Sequence, residues 1–132
     1  MFQRLDHVGI IVDDLEEAKR FVTAAFGLHL DRELDLPERG VKAAFFQCGE
    51  AQIELVEVTD AESRKERLGE GNQARVEHVA IQVEDMQQAL TSLGKLGVRP
   101  NAPEPTRLGN DVHVWTQAST SGGVMYQFIE KG

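Results

Sequence analysis

Two histidines carry the first chemical signal in this chain of 132 residues. Residues 5–15 overlay residues 76–86, matching His7 with His78, Val8 with Val79, Ile10 with Ile81, Val12 with Val83 and Asp14 with Asp85, and only Ile11 against Gln82 is dissimilar. Farther along, residues 52–57 overlay residues 125–130 and set Glu54 against Gln127. His7, Glu54, His78 and Gln127 together offer two imidazole nitrogens, a carboxylate oxygen and an amide oxygen, one nitrogen and one oxygen from each repeat. That donor set suits a divalent first-row ion such as Co, Mn, Ni, Zn or Fe, and four protein ligands on an octahedral ion leave two positions open for a chelating substrate. A lone histidine early in a strand is ordinarily a hydrogen-bonded rim residue. Two at equivalent positions, each beside a small residue (Gly9, Ala80) and each matched by a polar residue in an otherwise apolar terminal strand, favour the metal site. Gln127 is the weakest of the four, because an amide oxygen holds a cation less tightly than a carboxylate.

Positioning these side chains requires strands with two distinct faces. In the first repeat Val8, Ile10 and Val12 share one face, suited to packing under a helix, while His7, Gly9 and Ile11 share the other. The second repeat alternates in the same way, with Val79, Ile81 and Val83 against His78, Ala80 and Gln82. Ile53 and Leu55 oppose Glu54, and Tyr126 and Phe128 oppose Gln127, so all four candidate ligands belong to the face away from the helices. Helical patterns cover residues 15–26 and 86–96 and are stopped by Gly27 and Gly97. Strand patterns follow at 41–48, 52–58, 111–117 and 124–130, after Pro-containing loops, with room for one more short strand in each half. The predicted fold class is α+β: each half, at about 4–58 and 76–131 of a single 1–132 domain, reads β-α-β-β with that one further strand allowed, and the two sheets could pack as separate lobes or close on one another into a curved surface. Residues 59–75 read as a polar, partly helical connector.

Composition limits the partners. Fourteen Lys and Arg against 22 Asp and Glu give a net charge of −8, which does not gather phosphodiesters, so nucleic acid is not an expected partner. An apolar fraction of 41% with 27% charge fits a folded chain rather than a disordered acidic tail. No apolar run reaches the roughly 20 residues needed to cross a bilayer, and no membrane partner is expected. A single cysteine and a start without a basic, apolar leader lead us to expect a cytoplasmic protein.

The segments Leu5-Asp6-His7-Val8-Gly9-Ile10, Gln52-Ile53-Glu54-Leu55, Glu77-His78-Val79-Ala80-Ile81 and Gly122-Gly123-Val124-Met125-Tyr126-Gln127 resemble the vicinal oxygen chelate superfamily across the whole chain. That superfamily takes in glyoxalases, extradiol dioxygenases, bleomycin-binding proteins and methylmalonyl-CoA epimerases. The epimerases look most similar, because Leu36-Pro37-Glu38-Arg39-Gly40-Val41 is similar to their Leu-Pro-Glu-His-Gly-Val. The resemblance implies a glyoxalase-like α+β fold of two repeated β-α-β-β-β units forming a curved mixed sheet around a cavity, metal ligands at His7, Glu54, His78 and Gln127, a homodimer and an acyl-CoA substrate. It also marks departures: Gln127 stands where epimerases usually carry Glu, Thr116-Gln117-Ala118-Ser119 where they carry His-Pro-Lys, and Ala43 where some use a glutamate as second base.

With a 2-acyl thioester, both carbonyls would occupy the open metal positions, acidifying the C–H between them and stabilising an enolate. Glu54 is the only carboxylate in the ligand set, so it is the candidate catalytic base as well as a ligand. The alternatives are a glyoxalase-like lyase of the lactoylglutathione lyase type or a ring-cleaving dioxygenase, and a non-catalytic small-molecule (antibiotic) binding protein. Outside this set, His113 shares a face with Trp115 and is expected in a structural or helix-facing role, and His29 at the surface. Cys48 is expected to pack, Phe45, Phe46 and Trp115 to serve as core, and Arg39, Arg64, Lys65 and Arg67 to be solvated in preference to holding an anionic tail.

Overall fold

Both helical patterns open on an aspartate that satisfies the first free amides of the helix. Asp14 accepts from Glu17 N at 3.1 Å at the start of α1 (Leu15–Phe26), and Asp85 accepts from Gln88 N at 3.0 Å at the start of α3 (Met86–Gly94). These distances come from a computed structural model that describes residues 1–132 and divides them into two units. An N-terminal unit comprises His7–Glu77, and a C-terminal unit comprises Met1–Asp6 with His78–Gly132.

Within the N-terminal unit, β1 (Phe2–Val12, from His7 onward) runs parallel to β4 (Ala51–Val58). β3 (Val41–Cys48) is antiparallel to β4, and β2 (His29–Leu36) antiparallel to β3. Gly27 closes α1 at φ 66°, a left-handed value that a side chain disfavours. Pro37–Arg39 form a 3-10 turn ending at Gly40, also at φ 66°, where a Cβ would lie 3.3 Å from Asp60 Cβ. The backbone there must pass close enough for Gly40 O to accept from Thr59 N at 2.7 Å. Alternation splits the core in two. Val12, Leu15, Val22, Ala44, Phe46 and Leu55 pack on the α1 side. Ile11, Ala43, Phe45, Val56 and Val58 pack on the other side with Leu68 of α2 (Ala61–Leu68), the helical part of the connector. Phe46 retains 1% of its surface, a burial contributing about 1.5–3 kcal/mol.

The C-terminal unit repeats the plan. β5 (Ala74–Val83, from His78 onward) runs parallel to β8 (Met125–Glu130), which pairs antiparallel with β7 (Asp111–Trp115), itself antiparallel to β6 (Thr106–Leu108). Val83, Met86, Ala89, Val114 and Phe128 form its core under α3. Phe2 lies against Phe128, with ring centroids 5.7 Å apart, and Met1 O accepts from Glu84 N at 3.0 Å.

The extra strand is unequal in the two units, eight residues in β2 and three in β6. Helix α3 stops at Gly94, two residues short of the predicted end. Glycine weakens the last turn, and Leu96 N and Gly97 N bond three residues back, tightening the chain before Gly97 turns at φ 87°. The 111–117 strand ends at Trp115. Thr116 leaves the ladder, its hydroxyl 2.7 Å from Ser121 Oγ and accepting from Tyr126 N at 3.0 Å. No helix is long and apolar enough to cross a membrane.

Candidate functional site

In the N-terminal unit, register brings His7 and Glu54 together. Gly9 is the β1 partner of Glu54 in the parallel ladder, and His7 lies two residues earlier, so both side chains emerge on one face with no side chain at Gly9 between them. His7 Nε2 lies 3.3 Å from Glu54 Oε1, and His7 is 4% exposed. Phe45 is paired with Glu54 across β3 and β4 and meets the His7 ring edge-on at 5.8 Å and 85°. The Arg32 guanidinium lies 4.1 Å from the Phe45 centroid, a cation–π contact. The Phe45 ring, itself covered by Arg32, braces the imidazole. Arg67 forks onto Glu77 at 2.7 and 2.9 Å. Those hydrogen bonds push the guanidinium above its ordinary value against the effect of burial, with further support from the negative charges of Glu77 and Glu54.

The C-terminal unit presents the equivalent face with different chemistry. Ala80 is the β5 partner of Gln127, and His78 lies two residues earlier, so His78 and Gln127 share a face, each 4% exposed. Gln127 Nε2 lies 2.9 Å from His113 Nδ1, and His113 stacks on Trp115 at 5.8 Å and 20°. The expected helix-facing position of His113 is therefore corrected. Val112 and Val114 pack under α3, which turns His113 and Trp115 to the face of Gln127. The alternation rule that placed His7 and His78 would have found it.

Whether the residues fit a divalent ion can be tested within one unit. Ligand bonds of ~2.0–2.2 Å near a right angle put two donors about 3 Å apart, close to the separation of His7 Nε2 and Glu54 Oε1. Imidazole nitrogen with carboxylate oxygen is also a donor pair such ions favour. They fit.

Other sequence candidates go elsewhere. Arg64 binds the Asp13 carboxylate and donates to Val58 O at 3.0 Å, and Arg67 is committed to Glu77, so neither is simply solvated or poised for an anion. Phe45 and Phe46 are buried as expected, Trp115 is half-buried and His29 is exposed. Cys48 is exposed at the end of β3, because the strand runs out into the Gly49 turn, so the packing role is overturned. Glu57 and Glu130 were not singled out in the sequence. At equivalent strand ends, Glu57 accepts from Leu15 N at 2.9 Å and Glu130 from Met86 N at 2.7 Å, anchoring each helix to its sheet. Their signal was present in the overlay of residues 52–57 on 125–130.

Comparison with known proteins places this architecture. Residues 6–116 match the family model described as the glyoxalase/bleomycin resistance protein/dioxygenase superfamily. The mitochondrial methylmalonyl-CoA epimerase of Mus musculus is 31% identical over 102 residues, 76% of this chain and 57% of that protein, so the chain spans little more than half of that relative. An ethylmalonyl-CoA/methylmalonyl-CoA epimerase of Cereibacter sphaeroides is 32% identical over 100 residues, 75% of each chain. A variant methylmalonyl-CoA epimerase of Streptomyces coelicolor, solved with 2-nitronate-propionyl-CoA, superposes with a TM-score of 0.84 over 100% of this chain and 96% of that one at 22% identity, which establishes the shared fold. The chain belongs to the glyoxalase/bleomycin resistance protein/dioxygenase superfamily.

Proposed function

We propose that this protein is a metal-dependent isomerase of the methylmalonyl-CoA epimerase type, moving the proton at C2 of a 2-acyl-CoA thioester. The observation that carries the reading is the His7–Glu54 pair, an imidazole and a carboxylate 3.3 Å apart on a strand face repeated by His78 and Gln127. Similarity to named epimerases supplies the substrate class. His7, Glu54, His78 and Gln127 would hold the divalent ion, one of Co, Mn, Ni, Zn or Fe. When bound, the metal supplies Lewis-acid stabilisation of the negative charge that develops on the substrate oxygens.

Glu54 takes the C2 proton onto its carboxylate as the C–H electron pair delocalises into the thioester and releases it to solvent, and a solvent proton added to the opposite face of C2 inverts the centre. His7, braced by Phe45, keeps Glu54 on the site face. Gln127 has no acidic proton to exchange near neutrality and acts only as an oxygen donor. The protein works as a cytoplasmic homodimer. The exposed apolar Leu5 and Val76, at matching repeat positions, support burial by a symmetric partner, and light scattering should give twice the chain mass.

The test follows the C2–H signal of methylmalonyl-CoA by proton NMR in D2O with metal-stripped and Co2+-loaded protein. Loss of the signal with loaded protein alone is expected. Equal loss with both, or none with either, contradicts the proposal.

A further inference from the structure

Glu54 and Gln127 occupy the same place in the two units and differ in one respect that decides how each serves as an oxygen donor. A carboxylate presents oxygen whichever way it turns, whereas a carboxamide presents oxygen in one orientation and an NH2 group after a half-turn. Only the oxygen holds a cation. A metal-binding glutamine therefore needs something to choose between its two ends.

That partner is present in the C-terminal unit. Gln127 Nε2 is directed at His113 Nδ1 at 2.9 Å. The amide nitrogen is a donor only, so Nδ1 accepts and the neutral ring carries its proton on Nε2. Trp115, stacked on the imidazole, holds the ring plane, and Trp115 is also the register partner of Gln127. With the ring in that tautomer, a half-turn of the amide would bring its oxygen against the Nδ1 lone pair. We infer that His113 is a positioning residue: it anchors the Gln127 NH2 group and thereby turns the carboxamide oxygen out as a metal ligand. This rests on the metal reading above.

The other unit is an internal control. Phe45 pairs with Glu54 as Trp115 pairs with Gln127, so the equivalent of His113 is Ala43, whose methyl group can accept no hydrogen bond. A histidine at this register position accompanies the amide, whereas an alanine stands at the equivalent position beside the carboxylate, either of whose oxygens can serve as donor.

Titration of Mn2+ into metal-stripped protein, followed by calorimetry, tests the inference with five proteins: native, His113→Phe, His113→Asn, Gln127→Glu and the His113→Phe, Gln127→Glu double variant. Phe keeps a ring against Trp115 but removes the acceptor, and should weaken Mn2+ binding about tenfold or more, as loss of a group that orients a ligand does. Asn, which can place an oxygen near the former Nδ1, should keep most of the affinity. In the Gln127→Glu background the same His113→Phe change should alter affinity by less than about threefold, a non-additivity expected only of coupled residues. Native affinity in His113→Phe, or the same loss in both backgrounds, overturns the inference while leaving the metal site standing. Native protein that binds no Mn2+ overturns the site and the inference with it. Should circular dichroism show His113→Phe unfolded, His113→Leu takes its place in both backgrounds under the same criteria.

Discussion

The two units share a β-α-β-β-β plan down to the groups that tie helix to sheet, and diverge where chemistry is expected. Asp14 and Asp85 cap their helices alike, and Glu57 and Glu130 hold the same helix amides. On the opposite face, the N-terminal unit sets a carboxylate beside a histidine and braces it with Phe45, whereas the C-terminal unit sets an amide against His113 and Trp115. The framework is duplicated and the site is not. In the function proposed above, this difference assigns proton transfer to the half that holds Glu54 and leaves the other half as a fixed donor.

The strongest way to break this comparison is to remove the feature the units have in common. Replacing both His7 and His78 by Ala deletes one nitrogen donor from each unit, and metal analysis of the purified double variant should find no stoichiometric ion. An ion retained one-to-one would place the donors elsewhere. Next in size is the core. Phe46→Ala should lower stability by about 3–5 kcal/mol in urea unfolding, whereas a loss under about 1 kcal/mol would mean that the cavity collapses freely.

Smaller effects test the duplication itself. Asp14→Ala and Asp85→Ala should each lose ~1 kcal/mol, with the two values matching within about 0.5 kcal/mol, because each removes one cap bond of the same geometry. A marked asymmetry would show that the caps are alike in form only. The smallest effect concerns acid. Asp60, in the N-terminal unit, is held below the ordinary aspartate range by the Ser63 amide, and Asp111, in the C-terminal unit, chiefly by the Gly132 amide. A carboxyl lowered in the folded state contributes stability above its unfolded pKa and loses it as pH falls through the folded value. Asp60→Asn and Asp111→Asn should therefore each slightly flatten the decline in urea midpoint between neutral pH and about pH 3. An unchanged slope in either variant would contradict that account.

Much of this was legible in the sequence, and the reason is periodicity. The overlay of residues 5–15 on 76–86 indicates which strand positions share a face, and the observed ladders pair Gly9 with Glu54 and Ala80 with Gln127, equivalent positions in the two repeats. Helix α1 has its predicted bounds because an apolar stripe ends at a glycine free to turn left-handed. Readings failed where one element competed with another. The helix-facing expectation for His113 leaves Val112 and Val114 unassigned to α3, although the two valines cannot face the helix unless the histidine faces away. Arg67 and Glu77 are ten residues apart, and nothing in their spacing announces that the connector folds back to join them. Residue type alone favours packing for Cys48, but its place at the end of a strand decides its exposure.

The central claim is the division of labour between Glu54 and Gln127, and one assay reaches it directly: deuterium incorporation at C2 of methylmalonyl-CoA by metal-loaded native protein, Glu54→Gln and Gln127→Glu. The account predicts exchange by the native protein, at least a 100-fold loss in Glu54→Gln that still binds metal, as removal of a positioned general base gives, and continued exchange in Gln127→Glu. Undiminished exchange in metal-loaded Glu54→Gln, or exchange that appears only once Gln127 becomes a carboxylate, would contradict it.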